Sequence, residues 1–249
     1  MEYGIGNLSI TPLRAEPSDK SELVSQLLYG EHFQILEKRK KWSYIRVAFD
    51  KYQGWIDNKQ YQLIEEQDYH DLDRSEIMLS ADLVDYIYGH DGQLQPICMG
   101  STVSSVKLLN HQFEGRKISG FKAKINLIET ASNYLNAPYL WGGKTPFGID
   151  CSGFTQMVYK MHGQKLLRDA RLQATQGEAL SFIEESEAGD LAFFDNDEGI
   201  ITHVGIIMPD NYIIHAHGKV RIDRLDHTGI YNHERRSHTH RLRVIKRIF

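Results

Sequence analysis

Cysteine is scarce in this chain, with two residues among 249, Cys98 and Cys151. Two thiols allow one bridge at most, so a small disulfide-framed scaffold is excluded. No apolar run approaches the roughly 18 residues that a membrane-spanning helix needs. A positive excess is missing too: 29 Lys and Arg against 33 Asp and Glu leave a net charge of −4, with a pI near 6.3. Without a general basic field, neither nucleic acid nor an anionic membrane is an expected partner. The local basic clusters at 38–41 and 233–243 read as solvated faces. Residues 1–7 lack the charged-then-apolar form of a signal peptide. The expectation is a cytoplasmic chain, or a periplasmic or secreted one if a leader has been removed. What remains is ordinary globular material, 41% hydrophobic and 25% charged, long enough for one large domain or two to three small ones.

The stretch that stands out is Asp150-Cys151-Ser152-Gly153-Phe154. A glycine-bearing loop at 141–149 runs into Phe154, Val158 and Met161, which recur at helical spacing. Cys151 then falls at a helix N-terminus, where unpaired N–H groups and the helix dipole favour an anion and bias the thiol toward thiolate. Cys98 sits in a short apolar stretch, 95–100, and reads as a small buried strand residue.

Residues 7–63 read as small β-structure. Turn residues at 14–18 precede strands at 23–28, 32–37 and 42–49, and a turn and closing strand follow at 50–56. This spacing predicts a five- to six-stranded barrel. Residues 64–75 are acidic and poorly periodic and read as a connector. From 77 to 121 strand character returns at 82–88, 95–99 and 103–109, a second and more divergent barrel. After Gly120, Ile125, Ile128, Ala131 and Leu135 form a helical stripe that Pro138 ends. The helix of Cys151 stops at Gly163, and a short helix is expected over 168–180. Strands follow at 190–194, 203–208, 212–215, 220–225 and 241–248, which makes the C-terminal half α+β.

A nucleophilic thiol needs a base, and 12 histidines are available. The pairs His215/His217 and His238/His240 raise the thought of a metal. With no further cysteine beside them and no His-Glu-x-x-His helix, no metal or other cofactor is expected. His203 opens an apolar strand after a polar loop, and His215 follows on the next strand of the implied hairpin. Adjacent strands bring two such rings side by side, so Cys151, His203 and His215 compose a nucleophile, a base and an orienting group. In this reading Cys151 and His203 form a thiolate–imidazolium pair, and His215 fixes the tautomer of His203. Two core histidines are the alternative.

Two resemblances extend this. The Tyr-x-Gly-Trp-Ile pattern at 52–56 is similar to the closing strand of bacterial SH3-like domains. Pro138-Tyr139-Leu140-Trp141-Gly142-Gly143, Asp150-Cys151-Ser152-Gly153-Phe154, Gly189-Asp190-Leu191-Ala192-Phe193-Phe194, His203-Val204-Gly205-Ile206 and Ile214-His215-Ala216 together resemble the NlpC-type cell-wall cysteine peptidases. The second resemblance implies a papain-like fold over 123–249, preceded by two small SH3-like β-barrels at 1–63 and 64–122. It makes Cys151 the nucleophile, His203 the base, His215 the third member and Tyr139 a partner of the Cys151 N–H in holding the oxyanion.

The combined architecture looks like that of γ-D-glutamyl-L-diamino acid endopeptidases, which cleave peptidoglycan-derived peptides with a free N-terminal L-Ala. That likeness implies amine acceptors at Glu16, Tyr52 and Asp150. It puts Ser152, Arg168 and Asp169 near the D-Glu portion, and Trp141 along a wall. A monomeric enzyme of peptide recycling is the expectation. The alternatives are a secreted wall hydrolase, a wall-binding protein, and an amidase or acyltransferase with the same triad.

Overall fold

Aromatic and β-branched residues mix with polar ones along 42–47, and in the computed structural model burial alternates there, with Ser43, Ile45 and Val47 inward. The structure describes residues 1–90, 92–119 and 124–249. The chain divides into two units: Met1–Phe121 with Trp141–Pro146, and Lys122–Leu140 with Phe147–Phe249.

In the first unit, strands β1 (Glu2–Ile5), β2 (Ile10–Arg14), β3 (Leu23–Leu28), β4 (His32–Lys38), β5 (Trp42–Val47), β6 (Gln53–Asp57) and β7 (Gln62–Ile64) form one sheet in the order β3-β2-β6-β5-β4-β1-β7. Leu13, Leu27, Phe33, Ile35, Ile45, Val47 and Ile56 fill its core. Burial of each contributes about 1.5–3 kcal/mol. The expected five or six strands become seven because β1 and β7 extend the sheet past β4.

The expected connector contains helix α1 (Glu66–Arg74). None of its residues is buried, which is why no apolar stripe marks it. Glu66 and Asp68 stand at the positive end of its dipole and Arg74 at the negative end. Tyr69 packs on Tyr3, with ring centroids 4.5 Å apart, and meets His32 edge-on.

Short strands follow: β8 (Met78–Ser80), β9 (Val84–Gly89), β10 (Leu94–Cys98), β11 (His111–Gln112) and β12 (Lys117–Ser119), paired as β10-β9-β11 and β12-β8. The expected strand at 103–109 is instead a 3₁₀ turn, Val103–Ser105. The Ser105 hydroxyl donates to the Thr102 carbonyl (2.8 Å), a local bond that competes with strand pairing. Ile5 and Tyr29 share one core with Ile87, Ile97, Val103 and Leu109. Cys98 is buried, and burial pushes its thiol up to about 11.

The segment Trp141–Pro146, which includes β13 (Lys144–Thr145), also belongs to this unit. Trp141 Nε1 donates to Glu22 (2.6 Å), the Lys144 N–H donates to the Gln26 amide oxygen (2.7 Å), and buried Lys144 lies 3.4 Å from buried Glu31.

The second unit begins with the described helix α2 (Leu127–Ser132). Its buried residues are Leu127 and Ala131, and Tyr134 is buried in the turn that follows; Leu135, expected on the stripe, is exposed. Strand β14 (Gly148–Ile149) leads to α3 (Cys151–Met161), all of whose residues are buried. The expected helix over 168–180 is only α4 (Ala170–Gln173), because Gly177 turns the chain at φ 69° into β15 (Glu178–Leu180), which pairs with the end of the last strand.

Then come β16 (Leu191–Asp195), β17 (Ile201–Met208), β18 (Tyr212–His217), β19 (Lys219–Leu225), β20 (Gly229–Asn232) and β21 (Ser237–Arg247). The sheet order is β15-β21-β16-β17-β18-β19-β20, with β20 also paired to β21. Strand β20 was not foreseen. Helix α3 packs against β17 and β18, and this α+β arrangement sets the first residue of α3 beside the sheet.

Candidate active site

Helix α3 starts where it does because Asp150 caps it. Asp150 is extended (φ −92°, ψ 176°), and its carboxylate accepts from the Gly153 N–H at 2.6 Å. Arg168 grips the same carboxylate with both guanidinium arms, at 2.9 and 2.7 Å, and also donates to the Ser152 hydroxyl at 2.9 Å. Arg168 is 1% exposed and Asp150 7%, so this pair sits in a low-dielectric site where two parallel charge-assisted bonds hold it firmly. Asp150, expected to meet a substrate amine, thus already holds the helix end and Arg168.

Cys151, the first residue of α3, is 7% exposed. Burial, and next the Asp150 carboxylate, push its thiol up to about 12, while the N–H groups of Val204 and Ser152 and the Arg168 charge pull it down. The expected bias toward thiolate is overturned: desolvation and a neighbouring carboxylate outweigh the helix dipole. The Val204 amide at the sulfur puts Cys151 next to the residue that follows His203.

His203, on β17, is buried, and its pKa is held well below the usual imidazole value by desolvation and by His215, His240 and His217 around it. Each shift favours the uncharged form of its own group, which runs against the expected thiolate–imidazolium pair.

The expected hairpin geometry is present. Strands β17 and β18 pair with Gly205 opposite His215, and His203 Nε2 lies 2.8 Å from His215 Nδ1. Glycine is needed at 205: a Cβ there would come within 2.8 Å of Ile213 and 2.9 Å of His215 Cβ. On the far side, His215 Nε2 lies 3.0 Å from the Asp223 carboxylate on β19. Arg221 donates to both oxygens of Asp223, at 2.7 and 3.0 Å, and also reaches Glu234 at 3.2 Å. His240 stacks on His203 with centroids 4.2 Å apart. Asp223, Arg221 and His240 were missed. The signal for Asp223 was an aspartate on a strand in alternation with the apolar Leu225 on the same face.

Tyr139 is half-buried beside the same centre. Its N–H donates to the Gly218 carbonyl (3.0 Å), and burial, Cys151 and Asp150 in turn raise the pKa of its phenol, which stays protonated. Asp169 is exposed at the start of α4, where its carbonyl accepts from the Leu172 and Gln173 N–H groups.

Of the expected site residues, the second unit holds Cys151, His203, His215, Tyr139, Asp150, Ser152, Arg168 and Asp169. Glu16, Tyr52 and Trp141 belong to the first unit. Glu16 is exposed in the turn between β2 and β3, where its N–H donates to the Ser21 hydroxyl (2.9 Å). Tyr52 is half-buried between β5 and β6; its N–H donates to Asp50 (3.0 Å) and its carbonyl accepts from the Val47 N–H (2.9 Å). Trp141 is 61% exposed. Among the described residues no group of three or more His, Cys, Asp and Glu is arranged to hold a metal ion.

Comparison with known proteins gives matching regions in both units. Residues 136–239 match the NlpC/P60 family, and residues 13–60 match the bacterial dipeptidyl-peptidase SH3 domain. The chain is 28% identical over 256 residues to dipeptidyl-peptidase 6 of Lysinibacillus sphaericus, covering 86% of this chain and 88% of that one. It is also 28% identical over 231 residues to γ-D-glutamyl-L-lysine dipeptidyl-peptidase of Bacillus cereus, covering 80% of this chain and 68% of that one. A crystal structure of an NlpC/P60 family protein from Bacillus cereus superposes with a TM-score of 0.78 at 21% identity, covering 99% of each chain, and shows the same fold.

Proposed function

We propose, from the premise that this chain carries a papain-like NlpC/P60 domain behind a bacterial SH3 domain, that it is a cysteine peptidase hydrolysing the γ-D-Glu to diamino acid bond of peptidoglycan peptides. The observation that carries this is the 2.8 Å contact from His203 to His215 beside a capped, buried thiol. With His203 Nε2 engaged by His215, Nδ1 is the nitrogen that serves Cys151.

The chemistry follows from that geometry. His203 takes the Cys151 proton as the sulfur attacks the γ-carbonyl carbon, since the resting thiol is neutral. The Cys151 N–H and the Tyr139 hydroxyl stabilise the oxyanion. The tetrahedral species collapses to a thioester, and His203 passes its proton to the departing amine. His203 then deprotonates a water, which hydrolyses the thioester and frees the γ-carboxylate.

The names of the relatives support the bond, and support a substrate read from its N-terminal end. In this reading Asp150 accepts the free ammonium of L-Ala, and Glu16 and Tyr52 are acceptors that the likeness assigns to the first unit. Ser152, Arg168 and Asp169 serve the D-Glu portion, Arg168 by holding Asp150 and Ser152 in place. Intact wall joins L-Ala to sugar and offers no such amine, so in this reading the enzyme acts on released peptides, as a recycling step; a monomer is a separate part of the proposal. The divergent piece at 64–122 is read as a second SH3-like element between the first barrel (1–63) and the catalytic domain (123–249). No helix among the described residues is long and apolar enough to cross a membrane.

The test is one defined peptide, L-Ala-γ-D-Glu-diaminopimelate, free and N-acetylated. Cleavage at the γ-D-Glu bond that disappears in Cys151→Ala supports the reading; cleavage elsewhere, or retained by Cys151→Ala, refutes it. Equal rates on the free and acetylated peptides remove the amine pocket.

A further inference from the structure

A catalytic imidazole must present a lone pair to the thiol, so its single proton must sit on the other nitrogen. In this site His203 Nε2 faces His215 Nδ1. Two ring nitrogens in contact share one proton, and the pair by itself does not decide which ring carries it. If His215 Nδ1 were protonated, His203 Nε2 would accept, its proton would move to Nδ1, and the thiol would face an N–H instead of a base.

We propose that Asp223 is a positioning residue that decides this: its carboxylate, held against His215 Nε2 by Arg221, fixes the proton order through two imidazoles and so keeps the His203 lone pair on Cys151. A carboxylate can only accept. The His215 nitrogen 3.0 Å from Asp223 must therefore carry a proton, His215 Nδ1 is bare, His203 Nε2–H donates to it, and His203 Nδ1 is the basic atom. Asp223 lies on the inward face of β19 at 6% exposure, so no bulk water replaces it as acceptor.

Arg221, bonded to both Asp223 oxygens, keeps the carboxylate ionised and oriented. The other charged or titratable groups around the relay are His217 and His240, which face the rings, Glu234 on Arg221, and Arg235, which acts on His217 and His240. None of these is bonded to His215 Nε2 in place of Asp223. When His203 accepts the thiol proton, the same carboxylate stabilises the imidazolium through His215.

This rests on the cysteine-peptidase reading, and three measurements separate the two. The first is the tautomer of His203 and His215 by nitrogen-15 NMR of the full chain, which needs no substrate. Both rings are expected as Nε2–H; an Nδ1–H form of His215 in the parent protein overturns the proposal. The second is alkylation of Cys151 by iodoacetamide near neutral pH, read by peptide mass spectrometry so that buried Cys98 serves as an internal control. Asp223→Ala is expected to slow it at least tenfold and to let the Nδ1–H form of His215 appear.

The third is cleavage of the free tripeptide. The kcat should fall between about tenfold, the scale for an outer-shell partner, and about 10⁴-fold, the scale for a carboxylate bonded directly to the base. KM should change little. Asp223→Asn keeps the side-chain shape and provides a folded comparison should the alanine variant prove unstable. Wild-type alkylation rates and tautomers in both folded variants refute the relay. Slowed alkylation in a protein that cleaves no γ-D-glutamyl peptide supports the relay and overturns only the substrate reading.

Discussion

Replacing Arg168 with leucine should loosen the start of the nucleophile's helix. Arg168 supplies two bonds to Asp150 and one to Ser152 from a position 1% exposed. Leucine removes the guanidinium and leaves the Asp150 carboxylate, 7% exposed, without that compensation. Breaking a buried pair from one side costs about 3–5 kcal/mol. For a unit of about 120 residues, an unfolding entropy near 2.1 cal/mol/K per residue converts each kcal/mol to about 4 °C, so the transition should drop by about 12–20 °C. Calorimetry of the full chain reads it.

The control is a cycle with Asp150→Leu. Removing the cap alone costs about 0.5–2 kcal/mol beyond the lost pair. The double variant should then be less damaged than the two single losses added together, with a coupling of about 2–3 kcal/mol at the upper end of contacting pairs. Additive losses, or a drop under about 4 °C for Arg168→Leu, would refute the claim that this pair fixes the start of α3.

Acid should destabilise the protein earlier than carboxylate titration alone predicts. His203 and His215 are buried with lowered pKa values, so they bind fewer protons folded than unfolded; their contribution is complete above about pH 6.5 and is lost below it, by up to about 1.4 kcal/mol per pH unit for each ring. A urea midpoint unchanged between pH 7.5 and 5 would contradict this. The acid limb of kcat/KM should lie below the ordinary imidazole range, because the base stays unprotonated there.

In the first unit, Lys144→Met removes the lysine charge beside buried Glu31 and should cost about 3 kcal/mol, whereas the double variant with Glu31→Gln should recover most of it in urea unfolding. Gly205→Ala should cost about 1–3 kcal/mol through overpacking and lower kcat through His215, whose Cβ the new methyl would meet. A fully active variant would show that β17 and β18 can separate without disturbing the rings.

Elements that announce themselves by period were readable along the chain, and so were groups whose partners lie at a fixed offset. The stripe Phe154, Val158 and Met161 gave α3, and hairpin geometry put His203 beside His215. What failed depends on surroundings that no local pattern encodes. Residues 103–109 carry β-branched side chains but satisfy their backbone locally, and α1 is held by the half-buried Tyr69 and Leu72 and by its terminal charges, too few apolar positions to show as a stripe. Asp223 was invisible because its partner comes from the neighbouring strand: the register of β18 with β19 sets Arg221 opposite His215 and Asp223 diagonal to it on the same face.

The thiol is the clearest case. A helix N-terminus at Cys151 was foreseen, and its dipole was taken to stabilise a thiolate. Whether a dipole term of about 0.3–1 kcal/mol prevails depends on the desolvation it opposes. Burial supplies that desolvation, and the charge of Asp150, which Arg168 holds in place from 18 residues further along the chain, adds to its effect, while the Val204 N–H of β17 works the other way. Position on a helix therefore identifies a candidate nucleophile, and burial decides its protonation. In this site burial favours a neutral thiol served by a neutral base, and a base of that kind works only if something fixes its tautomer. The same low dielectric that disfavours both charged forms thus makes the order of protons through His203 and His215 consequential.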